Sequence, residues 1–144
     1  MEFAIALPLF SLFLAAILEI NHASMTAATM RAAAEKAGRY GVMEGVTTAE
    51  VEALARETAG AAVPGGNIRV YVKNAAVFDS GGDPTTVSVS SLPNIDLTAA
   101  RPRQLFLVRV EVTYEDVSLI PPFILKGADG GPKLIFGQSV NRHE

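Results

Sequence analysis

The chain has 144 residues, 49% hydrophobic but only 19% charged, with 12 basic and 15 acidic side chains and a net charge of −3. That length suits one ordinary domain, and the charge content falls short of the ~25% usual in soluble ones. Nothing here supplies the basic excess a nucleic-acid binder uses against phosphates. The absence of cysteine, with only His22 and His143 present, excludes disulfide scaffolds, thiolate metal sites and His-rich metal centres.

The first element is the most informative. Phe3 to Leu18 reads FAIALPLFSLFLAAIL without a charge. Sixteen residues at ~1.5 Å each span roughly 24 Å, just under the ~30 Å hydrocarbon core of a bilayer. Three readings compete. A secretory signal peptide wants a basic n-region, whereas this chain opens Met1-Glu2. A buried core helix of a soluble domain is the second. The third is a membrane-inserted helix that can also pack against sister helices. It fits best, because Leu7, Leu9, Phe10, Leu12, Phe13, Leu14, Ile17 and Leu18 cover every side of the helical wheel. Pro8 is costly inside a soluble helix but better tolerated in lipid, where it shapes the helix; alternatively the helix begins near it.

No breaker follows Leu18. The alanine-rich stretch Ala27–Lys36 favours helix, and Met30, Ala33, Ala34, Ala37 and Tyr40 form an i, i+3, i+4 stripe. One helix of nearly forty residues is expected, greasy in its first half, amphipathic in its second and ended by Gly38 or Gly41. Glu19, Asn21 and His22 mark the end of the apolar run and read as a membrane–water boundary.

Thr47-Thr48-Ala49-Glu50 fits a capping box, which starts a second helix running to about Ala61 with Val51, Leu54, Ala55 and Thr58 on one face. Asn67–Lys73 alternates as a half-buried strand with Ile68, Val70 and Val72 inward. Ser80–Pro84 is a turn cluster, and Thr85–Ser90 reads as a short edge strand with Val87 and Val89 on one face. Ser91–Pro102 reads as loop. Leu105–Tyr114 carries the clearest alternation, with Phe106, Val108, Val110, Val112 and Tyr114 inward and Arg109, Glu111 and Thr113 outward, as in an antiparallel sheet with one wet face. Val117–Leu125 is an apolar loop whose Pro121-Pro122 argues against a central strand. Its Pro121-Pro122-Phe123 tip is either a plug under the sheet or an exposed partner-binding surface. Gly127–Pro132 is a turn and Lys133–Val140 a final strand. The fold expected is α+β: a long N-terminal helix over 1–43, and a head over 44–144 whose second helix and small antiparallel sheet pack on that helix's second half.

Enzyme chemistry finds no support. His22 lies in the long helix and His143 beside the C-terminus, so no Ser–His arrangement is placed; Gly65-Gly66 and Gly81-Gly82 lack the spacing and lysine of a phosphate loop. No carboxylate pair stands out for acid–base work. No catalytic, cofactor or metal residues, no cofactor and no small-molecule substrate are expected.

The opening Glu2-Phe3-Ala4-Ile5-Ala6-Leu7-Pro8-Leu9-Phe10, then Ile17-Leu18-Glu19, resembles the TadE-like family, minor pilins or pseudopilins of Tad (Flp-type) pilus systems. The stretch Ala32-Ala33-Ala34-Glu35-Lys36-Ala37-Gly38-Arg39-Tyr40, the Val-rich strand, the proline-containing loop and the closing strand follow the same outline. The family carries a basic leader and a glycine upstream of the glutamate, whereas Met1 stands directly before Glu2 here. The resemblance implies a structural, pilin-like protein of the bacterial inner membrane, its head in the periplasm or, in the pilus, outside the cell. It implies as partners other minor pilins, the major Flp-type pilin and the inner-membrane assembly platform. It further implies a registry role in assembly for Glu2 with Phe3, and a membrane or bundle helix built on Pro8, Phe10, Phe13 and Ile17. Two other readings remain: a membrane-anchored periplasmic binding module unrelated to pili, and a secreted domain with a remnant export signal.

Overall fold

The computed structural model describes residues 2–63, 67–83, 87–118, 122, 125 and 131–144, the side chains of 2–5 and 62 excepted. The architecture is α+β. Helix α1 (Glu2–Tyr40) is followed by α2 (Thr48–Ala62) and by three strands, β1 (Arg69–Asn74), β2 (Leu105–Thr113) and β3 (Leu134–Arg142). The sheet is antiparallel in the order β1-β2-β3. Val72 faces Val108 across the first pair and Val110 faces Gly137 across the second.

α1 is one continuous helix of 39 residues with Pro8 inside it, so the helix does not begin at the proline. Nor does it stop at Gly38; it ends at Tyr40, just before Gly41. The alanine stripe is its packing face. Met30, Ala33, Ala34 and Ala37 are fully buried and Tyr40 partly so. Small side chains let the sheet approach closely, and Gly137 takes this furthest. A Cβ there would collide with the backbone of Met30 and Arg31, so β3 presses bare backbone against α1. Gly38 plays the reciprocal part, since a Cβ on it would strike the Asn141 side chain.

α2 starts with the expected capping box. The Glu50 N–H donates to Thr47 Oγ1 at 3.2 Å, and the Thr47 N–H donates to the Glu50 carboxylate at 2.8 Å. Val51, Ala55 and Ala59 turn into the core that α1 and the sheet enclose. The inward residues of β2, Phe106, Val108, Val110 and Val112, with Tyr114 just beyond, are all buried there.

Two expectations need correction. Over its described part, Thr85–Ser90 forms no strand. Val89–Ser91 is instead a 3₁₀ turn that lays Val89 against Leu107 and Ala75. As a result the outer face of the sheet is not uniformly wet, and Leu107 is only 1% exposed. The outward Glu111 is also buried, held by Arg69 Nε at 3.4 Å and Arg109 Nε at 3.2 Å. Short-range alternation marks which face a residue takes, but whether a later segment covers that face is a tertiary matter.

Candidate functional site: the apolar helix and its junction with the head

The first half of α1 stands clear of the head. From Ala6 to Leu18 only Ala15 and Ala16 are even partly covered. Phe10 and Phe13 are about 60% exposed, and Leu7, Leu9, Leu12 and Leu18 are comparably bare. The helix is long and apolar enough to cross a membrane. An exposed apolar surface on all sides of a helix demands lipid or other helices around it. The one hydroxyl between Ala6 and Leu18, that of Ser11, donates to the Leu7 carbonyl at 2.9 Å, so no side-chain donor of that stretch is left facing an apolar surround.

Pro8, Phe10, Phe13 and Ile17 therefore lie on the projecting part of α1. Glu2 opens that helix, and Phe3 follows it in the first turn. The side chains of these two lie outside the described residues, as do Pro121 and Phe123. Pro122 is half-buried.

The junction begins at Glu19, and the structure departs here from a simple boundary between apolar and polar surface. Glu19 is 7% exposed. Its Oε1 accepts the Leu125 backbone N–H at 2.7 Å, and its main-chain carbonyl accepts the Tyr114 hydroxyl at 3.1 Å. A buried carboxylate is costly without such donors. Burial, and secondarily the Glu19 charge, raise the Tyr114 phenol above its ordinary pKa. His22, one turn on, lies with its ring centroid 5.9 Å from that of Tyr114. Asn21 alone of the three boundary residues faces solvent. Leu125 and Val117 pack against the core from the loop side.

Sequence reasoning missed this clamp, yet a signal was present. Read backwards from Ala37, Ala33 and Met30, the stripe continues by steps of three or four through Thr26 and Ala23 to Glu19, and every one of these is at least partly buried. The packing face thus runs three turns further than its alanine-rich part, and its last residue is charged.

At the other end of α1, the His143 ring Nδ1 lies 3.2 Å from the Gly41 carbonyl, and the Glu144 N–H donates to the Val42 carbonyl at 3.1 Å. The head is thus tied to α1 at both ends of their shared length. Among the described residues, no group of three His, Cys, Asp or Glu side chains converges to hold a metal.

Comparison with known proteins bears on this same helix. No match was found among curated proteins or among solved structures. Residues 1–39 match the model of the family described as TadE-like protein, a segment that coincides with α1 to within a residue at each end. The long N-terminal helix is thus a TadE-like element.

Proposed function

We propose that this chain is a minor pilin, or pseudopilin, of a Tad (Flp-type) pilus, with a structural role in initiating or assembling the filament. The observation that carries the reading is the coincidence of the TadE-like match with a helix that is apolar on all sides and exposed from Ala6 to Leu14. Such a helix can be stored in lipid and later buried among neighbouring helices. Both surrounds are apolar, so the exchange is close to neutral and can be driven from outside the chain.

On this reading the head lies on the far side of the inner membrane and enters the extracellular filament with its helix. The partners are other minor pilins, the major Flp-type pilin and the inner-membrane platform. Glu2, with Phe3 beside it, serves as a registry device: a charge among apolar helices is tolerated only where a neighbour's cation meets it, which favours one stacking register. Pro121-Pro122-Phe123 serves as a surface for a neighbouring subunit.

The test is an immunoblot of the native full-length protein after shearing and fractionation. Signal in sheared pili as well as in the inner membrane is expected. Signal in the membrane alone would favour an anchored module or an assembly factor that never joins the filament. Glu2→Ala is expected to insert into the membrane but fail to enter filaments, and normal piliation by that variant would end the registry role.

A further inference from the structure

The end of the head beside the C-terminus of α1 carries a cleft of about 510 Å³, lined by Asn74, Ala76, Arg101, Pro102, Arg103 and Gln104. Its floor is a tight turn. The Gln104 N–H donates to the Arg101 carbonyl at 3.0 Å, with Pro102 and Arg103 as the central residues. Arg103 has φ 66°, where such turns ordinarily place glycine or asparagine. An arginine is held in the left-handed region because its own N–H donates to the His143 carbonyl at 2.8 Å, which fixes the turn to the end of β3.

The hydrogen-bond inventory of the cleft is one-sided. Asn74 Oδ1 already accepts the Ala76 N–H at 2.9 Å, and Gln104 Oε1 already accepts the Arg101 N–H at 2.9 Å. Both amide oxygens are used inside the protein, so both amide NH₂ groups are left for a ligand. The guanidinium groups of Arg101 and Arg103 are exposed and have no ion-pair partner among the described residues. The neighbouring acid Asp79 is already held by Arg142 at 2.8 Å. What remains of the lining side chains is two guanidinium forks and two amide donors, with the apolar surfaces of Pro102 and Ala76 between them. Each side-chain acceptor already holds a donor of the protein.

We propose that this cleft binds an acidic sugar unit, its oxyanion gripped by Arg101 and Arg103 and its ring oxygens met by Asn74 Nδ2 and Gln104 Nε2. A planar guanidinium fork matches a carboxylate or phosphate in two bonds at once. The volume lies in the range of small-molecule sites, ~300–1,000 Å³. Two amide donors beside two guanidinium forks offer partners to ring oxygens as well as to the anion, which suits an oxygen-bearing acidic ring better than a lone carboxylate side chain. The site lies on the head alone and stands whether or not the chain enters a filament.

The test is a titration of the full-length protein in nonionic detergent micelles with trigalacturonate, its methyl ester and a triglutamate peptide. Trigalacturonate is expected to bind, more weakly as salt rises, and the ester and peptide to bind at least about tenfold more weakly. Arg101→Gln and Arg103→Gln should each weaken trigalacturonate about tenfold, while Arg56→Gln, on the exposed side of α2, should not. Arg103→Gly separates binding from folding: it relieves the positive φ and should raise the thermal midpoint while weakening the ligand. Equal binding of the ester, equal or tighter binding of the peptide, no binding of trigalacturonate at millimolar concentration, or indifference to both arginine variants would each overturn the proposal.

Discussion

Glu19 Oε1 accepts a hydrogen bond from the Leu125 backbone N–H at 2.7 Å across 106 residues of sequence. The bond fastens the loop after β2 to the helix at the level where the projecting apolar segment ends. Glu19→Ala would leave that N–H without its acceptor, at a cost of about 1–3 kcal/mol. Glu19→Gln keeps an acceptor and should lose less. Thermal unfolding of the full-length variants in micelles reads the order wild type, Gln, Ala, and amide exchange at Leu125 should quicken most in the alanine variant.

Gly137 leaves no room for a side chain between sheet and helix. A β-carbon there meets the Arg31 and Met30 backbone rather than a side chain that could swing away. Gly137→Ala is therefore expected to destabilise the head by about 3 kcal/mol, at the upper end for overpacking. Gly131→Ala, with nothing within reach of the added carbon, should leave the midpoint nearly unchanged. Denaturant midpoints of the two variants check this.

Tyr114 should give the head an alkaline limit. Its phenol pKa is raised by burial first and by the Glu19 charge second, so the folded state holds this proton more tightly than the unfolded chain. The stabilisation is full below about pH 10, the ordinary tyrosine value, and is lost as pH rises through the folded-state pKa. Tyr114→Phe should flatten the fall in thermal midpoint at high pH, at a cost of about 1 kcal/mol near neutrality for the lost bond to the Glu19 carbonyl.

The capping box of α2 sets the opposite dependence. Bonds from the Thr47 backbone and then its side chain hold the Glu50 carboxyl below the usual carboxylate range. That contribution is present above roughly pH 4.3 and is lost as pH falls through the folded-state pKa. Glu50→Gln should remove this acid-dependent part of the unfolding profile. Thr47→Ala should cost about 1 kcal/mol at neutral pH.

The helices and strands were legible because each depends on near neighbours in sequence. The unbroken run from Phe3 through the alanine-rich stretch indicates one long helix, Thr47 with Glu50 marks the start of the second, and the alternation of Phe106, Val108, Val110 and Val112 marks the central strand and its inner face. Periodicity of 3.6 or 2 is a local property, written wherever one side of an element meets a core. The same locality explains the failure at Thr85–Ser90. Val87 and Val89 alternate as a strand would, but β1's far side is met instead by the Pro93–Asn94 segment, and Val89 is spent on covering Leu107.

The candidate sites divide in the same way. The apolar, TadE-like helix was evident from residues 1–39, since lipid-compatible surface is a matter of composition over one element. The burial of Glu19, the bare backbone of Gly137 against Arg31 and the donor-lined cleft at Arg101 and Arg103 were decided only by the tertiary structure. Each joins groups from separate elements, and whether a charge is clamped, a side chain excluded or an amide oxygen already spent depends on partners brought together only when α1, the sheet and the loops close on one another.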